Sequence, residues 1–188
     1  MLLMTLLQET DSVSPHRTDD LIRRLATGEK EALAELYHET RTAVYGFSLS
    51  IVKNSTDAED VLQDTYLRIY SSADSYKSKG NPMAWILTIT KNLSLMKLRE
   101  RRRFQDLEEH EWESVTAADS GSEDRQLLQA AMSILSPEER QIILLHALSG
   151  MKHREIASLL DLALPTVLSK YHRALKKLRK YLEGADAQ

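Results

Sequence analysis

Apolar residues along this chain recur near helical spacing, and their phase divides it into a series of amphipathic segments. The longest contains Leu33, Leu36, Tyr37, Val44, Phe47, Ile51 and Val52 and predicts a long helix. Ahead of it, Thr18-Asp19-Asp20 is a start signal for a short helix ending at Gly28, since side-chain oxygens accept from free amides and glycine suits the exit. Lys53-Asn54 ends the long run, and Ser55-Thr56-Asp57 offers a cap for a helix placing Val61, Leu62, Tyr66, Ile69 and Tyr70 on one side. A polar loop, Asp74 to Gly80, follows. Asn81-Pro82 restarts a helix, because asparagine caps the first amides and proline has none to waste in the first turn. That helix turns Trp85, Ile86, Ile89, Leu93 and Met96 inward and runs on into a group of arginines.

The second half opens with Leu127, Leu128, Ala131, Met132 and Leu135. Ser136-Pro137-Glu138-Glu139 has the form of a capping box, in which Ser136 accepts from the helix and Glu139 reaches back. The helix behind it passes through Ile142, Ile143 and Leu145 to Gly150. Two more are expected, roughly His153–Leu160 and Pro165–Leu182, joined by a very short turn. The fold class is therefore all-α, with no internal repeat or low-complexity tract.

Composition narrows this picture. A chain of 188 residues forms one mid-sized domain or two small ones, and 42% hydrophobic residues suffice for globular cores. The absence of cysteine rules out disulfides and thiolate metal sites and fits a cytoplasmic location. Met1 to Leu7 is apolar but short and lacks a basic flank, so it is read as a tail or an alternative start rather than a signal peptide. No later run is long enough to span a membrane, and no direct membrane insertion is expected.

The net charge of −3 conceals a sharp segregation. Lys91, Lys97, Arg99, Arg101, Arg102 and Arg103 crowd one stretch, and Lys170, Arg173, Lys176, Lys177, Arg179 and Lys180 another. Between them lie Asp106, Glu108, Glu109, Glu111, Glu113, Asp119, Glu123 and Asp124, with Ser120-Gly121-Ser122 among them. That acidic stretch, 104–124, reads as a flexible linker between two small helical domains, because it has too little apolar surface to offset its ordering entropy.

One constellation points to nucleic acid. Glu155-Ile156-Ala157, Leu159-Leu160-Asp161-Leu162 and Thr166-Val167 have the spacing of a helix-turn-helix. Ala157 is small where two helices cross, Ile156, Leu160, Leu162 and Val167 form the wedge, and the basic tail from Lys170 to Lys180 would run beside phosphates. The competing reading is a plain helical hairpin with a solvated basic face. In the first half, Asp57, Glu59, Asp60 and Asp64 suit either a basic partner or a helix N-terminus, where the macrodipole favours acids. No nucleophile–base pair, metal-ligand spacing or phosphate-binding glycine loop is present, so no enzyme is expected.

Taken in order, these segments resemble the bacterial sigma-70 family, specifically the extracytoplasmic-function (ECF) sigma factors. Asp57-Ala58-Glu59-Asp60-Val61-Leu62-Gln63-Asp64-Thr65-Tyr66 is similar to region 2.2, and Trp85-Ile86-Leu87-Thr88-Ile89-Thr90-Lys91-Asn92 with its arginine run is similar to regions 2.3 and 2.4. Leu135-Ser136-Pro137-Glu138-Glu139-Arg140 opens what resembles region 4, and Glu155 to Ala174 resembles its helix-turn-helix. The short linker without intervening domains is what marks the ECF group. The resemblance implies a tail over 1–17, region 2 over 18–103, the linker over 104–124, region 4 over 125–183 and a tail over 184–188.

The implied function is promoter-specific initiation with core RNA polymerase, which the family contacts through the β′ clamp helices and the β flap. Asp57, Glu59, Asp60, Gln63 and Asp64 would dock on polymerase. Asp74, Tyr76, Lys77, Lys79, Asn81, Trp85, Lys91, Asn92, Arg99 and Arg102 would open and read the −10 element of promoter DNA, the loop shaping a pocket for a flipped base. Thr166, Ser169, Lys170, His172, Arg173, Lys176 and Lys177 would serve the −35 element. An anti-sigma factor is an implied partner; a small-molecule substrate, a cofactor and a metal are not. His172 lies in the wrong company for zinc, since His153 is on another helix. Three departures bear on the −35 helix. Asp161 stands where the family often has Gly, making the turn either tighter or left-handed; Ala163 replaces a frequent Ser cap, a loss of about 1 kcal/mol. Leu168 replaces a common Lys or Arg.

Overall fold

The computed structural model describes residues 14–78, 80–104 and 132–185. Among them the first half forms α1 (Pro15–Ala26), α2 (Glu31–Val52), α3 (Ser55–Ser72), a 3-10 turn (Ala73–Ser75) and α4 (Pro82–Phe104). The second half forms α5 (Pro137–Ser149), α6 (His153–Leu160) and α7 (Leu164–Ala185). The acidic stretch 104–124 and Leu127, Leu128 and Ala131 lie outside the described residues, apart from Phe104 as the end of α4.

Local chemistry sets most boundaries. The first helix begins three residues earlier than its Thr18 signal, because Pro15 takes the first turn and Ser14 is the residue before it. Thr18 is consequently buried inside α1, its hydroxyl donating to the Ser14 carbonyl at 3.1 Å. Between α2 and α3 the chain reverses at Lys53 in the left-handed region (φ 57°), and the cap is Asn54, not Ser55 to Asp57. Its side chain accepts from the Asp57 amide at 2.9 Å. Asn81 caps α4 as expected, accepting from the Ala84 amide at 3.0 Å. The Ser136 capping box is complete: Glu139 accepts from the Ser136 amide at 2.9 Å while Ser136 accepts from the Glu139 amide at 3.3 Å. Asp161 resolves the turn before α7 as left-handed, with φ 56°. Ala163, just ahead of α7, offers only its carbonyl, which accepts from the Thr166 and Val167 amides.

Helices α1 to α4 pack on one another around Leu21, Ile22, Leu36, Val44, Phe47, Ile69, Ile86 and Leu87. Buried hydroxyls inside this bundle are satisfied one turn back along their own helices, as with Thr65 to Val61 and Thr90 to Ile86. Thr40 donates to the Leu36 carbonyl at 2.7 Å, which leaves the buried Tyr66 hydroxyl to donate to Thr40 at 2.6 Å. Met96, expected to face inward, and Tyr70, placed on the same side of its helix as Val61 and Ile69, are both left uncovered. Tyr70 is 47% exposed and Met96 is 52% exposed. Each stands at the edge of its helix's apolar stripe, where period alone does not separate core from surface.

The second half is not isolated from the first. Helix α5 packs along α2 and α6 against α4. Ile142, Leu145, Met151, Ile156 and Val167 belong to the same buried cluster as Phe47 and Leu36. At the crossing of α2 and α5, Gly46 carries no side chain, and a Cβ there would stand 3.5 Å from Leu148 Cδ1. A smaller core of Leu135, Ile143, Ala174 and Leu178 holds α7 to α5 on the other side.

Candidate nucleic-acid interface

Three surfaces carry the residues singled out from the sequence. The first is the outer face of α3. Asp57 and Asp60 turn toward α4, where Lys97 lies 2.6 Å from Asp60 and 3.8 Å from Asp57, and Arg101 lies 3.5 Å from Asp57. Glu59 and Gln63 line an open groove with Tyr37, Arg41, Tyr45 and Leu62. Asp64 is exposed. Next along this face stand Leu67, 66% exposed, and Tyr70. The sequence pattern did not mark either for docking; three residues apart on one helix, they leave adjoining apolar surface uncovered next to Gln63 and Asp64. A signal was there to be read: Leu67 falls outside the stripe of Val61, Tyr66 and Ile69.

The second surface is the loop into α4 and that helix's outer face. Asp74 and Lys77 are exposed. Tyr76 instead folds inward, its ring 4.9 Å from that of Trp85 and its hydroxyl donating to Asp19 on α1 at 2.7 Å. Burial and the Asp19 carboxylate push the Tyr76 phenol up to about 12. Burial would raise Asp19 as well, but hydrogen bonds from Ser78 and Tyr76 and the charge of Arg23 hold it below the usual carboxylate range. Trp85 is only partly buried and packs against the core, and the Asn81 side chain is engaged as the α4 cap. Asn92 and Arg99 are exposed; Lys79 and the side chain of Arg102 lie outside the described residues. Lys91 donates to the Leu159 carbonyl of α6 at 2.7 Å. Lys91 and Asn92 also line a cleft of about 310 Å³ between α4 and α6, with Ala84, Thr88, Glu155, Ser158 and Leu159.

The third surface is α7. Val167, Ala174 and Leu178 are buried and fix its rotation. Ser169, His172, Arg173, Lys176 and Lys177 then face outward along one side, with Thr166 half-buried near the start. The Arg173 side chain lies along its own helix, donating to the Ser169 carbonyl at 3.4 Å. Two of the lysines have local partners. Lys170 lies 2.5 Å from Glu138, and Lys177 lies 2.6 Å from the buried Glu139. Burial alone would raise the Glu139 carboxyl, but the Lys177 ammonium and the Ser136 amide outweigh it and hold it low. Lys177 is thus part of the capping box as well as of the basic face.

Behind α7 sits an aromatic cluster. The rings of His146 and His153 stack with centroids 4.7 Å apart, and the Tyr171 ring stands edge-on to both. His146 Nδ1 is 2.9 Å from the Met151 carbonyl, whereas His153 Nε2 is buried with no hydrogen-bond partner among the described residues. Burial and the neighbouring His146 and His172 lower the His153 pKa from 6.5. A depressed histidine pKa means that the unfolded chain takes up the proton first. Its stabilising contribution is complete above the unfolded value and is lost as pH falls through 6.5 toward the folded one. Thermal stability should therefore fall as pH drops through 6.5, and His153→Phe, which keeps the ring contacts, should flatten that slope. An unchanged slope in the variant would show that another group sets the pH dependence. Among the described residues no group of three or more His, Cys, Asp or Glu is placed to hold a metal ion, and no helix is long and apolar enough to cross a membrane.

The family model of sigma-70 region 2 matches residues 36–104, and that of sigma-70 region 4 matches residues 125–178. The chain is 30% identical to the ECF RNA polymerase sigma factor SigK of Mycobacterium ulcerans, covering 91% of this chain and 98% of that one. It is 34% identical to the ECF RNA polymerase sigma factor SigE of Mycolicibacterium smegmatis over 84% of this chain and 65% of that one. Among solved structures, the sigma factor RpoE in complex with the anti-sigma factor NepR from Bartonella quintana superposes with a TM-score of 0.62 at 28% identity, covering 79% of this chain and 97% of that one. Two family models that together span more than half of the chain, and a relative 30% identical that is matched over 98% of its length, show that the chain belongs to the ECF RNA polymerase sigma factors of the sigma-70 family, which direct polymerase to promoters.

Proposed function

We propose that residues 18–103 serve as region 2 and 125–183 as region 4, and that α3 docks on core polymerase through Asp60, Gln63, Asp64, Leu67 and Tyr70. The observation that carries this reading is the exposed face of α3, where acids and uncovered apolar side chains adjoin on one rigid helix. Lys91, Asn92 and the Asp74–Asn81 loop serve the −10 element. Ser169, His172 and Arg173 serve the −35 element. Lys170 and Lys177, paired with Glu138 and Glu139, position α7 more than they read bases. An anti-sigma factor is the regulatory partner, as RpoE has in NepR. The protein acts as a cytoplasmic transcription factor without catalytic activity of its own.

The test is capture of core polymerase. Exposed ion pairs are individually weak, at most about 1 kcal/mol, so two acids must be changed together. Asp60→Lys with Asp64→Lys should lower core affinity at least about tenfold, corresponding to roughly 1.4 kcal/mol, with the helical circular dichroism unchanged. Undiminished capture by the double variant would remove α3 as the docking face.

A further inference from the structure

Helix α1 lies ahead of the span 36–104 that matches sigma-70 region 2. Leu21, Ile22 and Leu25 bury one face of it in the bundle and fix its rotation. Asp19 then comes to face the loop that runs from the 3-10 turn into α4. There the Tyr76 hydroxyl donates to Asp19 Oδ1 at 2.7 Å, while Arg23, one turn along α1, holds Oδ2 at 2.9 Å. The Asp19 side chain is only 17% exposed, although that of Arg23 is 65% exposed. The carboxylate is turned into the loop and away from water.

Most of the loop has little else to hold it. Asp74, Ser75, Lys77 and Ser78 are exposed, while Ala73 is buried and Asn81 is fixed as the α4 cap. Between those two ends stands Tyr76, its ring against Trp85 and its hydroxyl on α1. Ser78 hydrogen-bonds to the same carboxylate. Asp19 therefore grips both neighbours of Lys77 and leaves that lysine pointing outward. A slack loop must be ordered when a base enters it, at a cost in conformational entropy, whereas a loop already held in shape avoids that cost. The Tyr76 hydroxyl, engaged by Asp19, holds the loop and does not read a base.

We propose that Asp19 is a positioning residue of the −10 pocket: by accepting from Tyr76 and Ser78 on either side of Lys77, it fixes the loop in the shape that receives the flipped base. This role rests on the assignment of the loop to the −10 element. Helix α1 thereby contributes to promoter choice without touching DNA, and Tyr76 serves the pocket from behind.

The test is run-off transcription by core polymerase with the full chain, at fixed salt, from every single-base −10 variant of a promoter that the wild-type chain transcribes. Tyr76→Phe removes the hydroxyl and keeps the ring on Trp85; Asp19→Ala removes the acceptor. A charge-assisted hydrogen bond is worth about tenfold or more in an equilibrium, so each change should lower the preference for the best base at one −10 position by about fivefold or more. Preferences at the −35 element and capture of core polymerase should stay as in the wild type. The double variant should lose no more than Asp19→Ala alone, because the two residues share one bond. Asp19→Asn retains an oxygen acceptor and should keep most of the preference.

A uniform drop across all −10 variants, following a lower melting temperature, would make Asp19 a merely structural residue and overturn the proposal. An undiminished preference in Tyr76→Phe would overturn it too, and this variant gives a result even where Asp19→Ala unsettles α1. So would a loss in Asp19→Asn as large as in Asp19→Ala. Asp74→Ala with Lys77→Ala, both on the outer side of the loop, tests the assignment beneath. If that pair leaves every −10 preference unchanged, the loop assignment fails and the role of Asp19 with it. If the pair alters a position that Tyr76→Phe leaves untouched, only the role of Asp19 fails.

Discussion

Phe47→Ala should lower folding stability by about 3–5 kcal/mol. Phe47 is 1% exposed and lies on α2 in the cluster that joins both halves, so truncation leaves a cavity lined by rigid helices. Domains of this size are stable by only about 5–15 kcal/mol, and the decrease would therefore be a fifth or more of the total. Urea unfolding should show it as a lower midpoint at an unchanged slope. Leu67→Ala, on the neighbouring helix, makes the informative contrast. Its side chain stands in water, and its removal should move stability by no more than about 0.5 kcal/mol while weakening capture of core polymerase. An unaltered midpoint for Phe47→Ala would contradict the shared core; a destabilised Leu67→Ala with normal capture would contradict the docking face.

Arg173→Ala should lose roughly 1–3 kcal/mol of discrimination at one position of the −35 element. Leu164, Pro165 and Leu168 leave the front of α7 with few donors, and Lys170 is held by Glu138. Direct readout then falls to Ser169, His172 and Arg173, of which the arginine alone presents a fork that matches a guanine edge. Removing Lys176, Arg179 and Lys180 should instead weaken binding to all sequences and flatten its salt dependence, by about 0.9 in slope for each phosphate that is no longer neutralised. Lys177 is left out of that set because it also holds the buried Glu139. Transcription from single-base −35 variants at fixed salt separates the two effects. A uniform drop for Arg173→Ala across all variants would mean that it touches phosphate alone.

What could be read from the sequence was local. The Ser136 box and the Asn81 cap involve residues three apart, so their chemistry is complete within one turn of helix. The helix-turn-helix was legible for a related reason, since Ile156, Ala157 and Val167 pack within a short span. Errors arose where two local signals competed or where period was ambiguous. Thr18 is a good cap, but Pro15 lies ahead of it and begins the helix first. Tyr70 and Met96 sit on stripe edges that a broad apolar face does not define. The long-range contacts left no local trace. Tyr76 reaches Asp19, and Lys91 reaches Leu159, across most of a domain's length of chain. These contacts decide which of the residues assigned to the −10 element point outward, and no local pattern shows them.

The central claim, that this chain confers promoter choice on core polymerase, is tested most directly by run-off transcription from a pooled promoter library with core enzyme alone and with the chain added. The expected result is initiation at a defined subset of promoters sharing −35 and −10 elements, dependent on the chain and abolished by Asp60→Lys with Asp64→Lys. Transcripts that are the same with and without the chain, despite its presence bound to DNA, would contradict it.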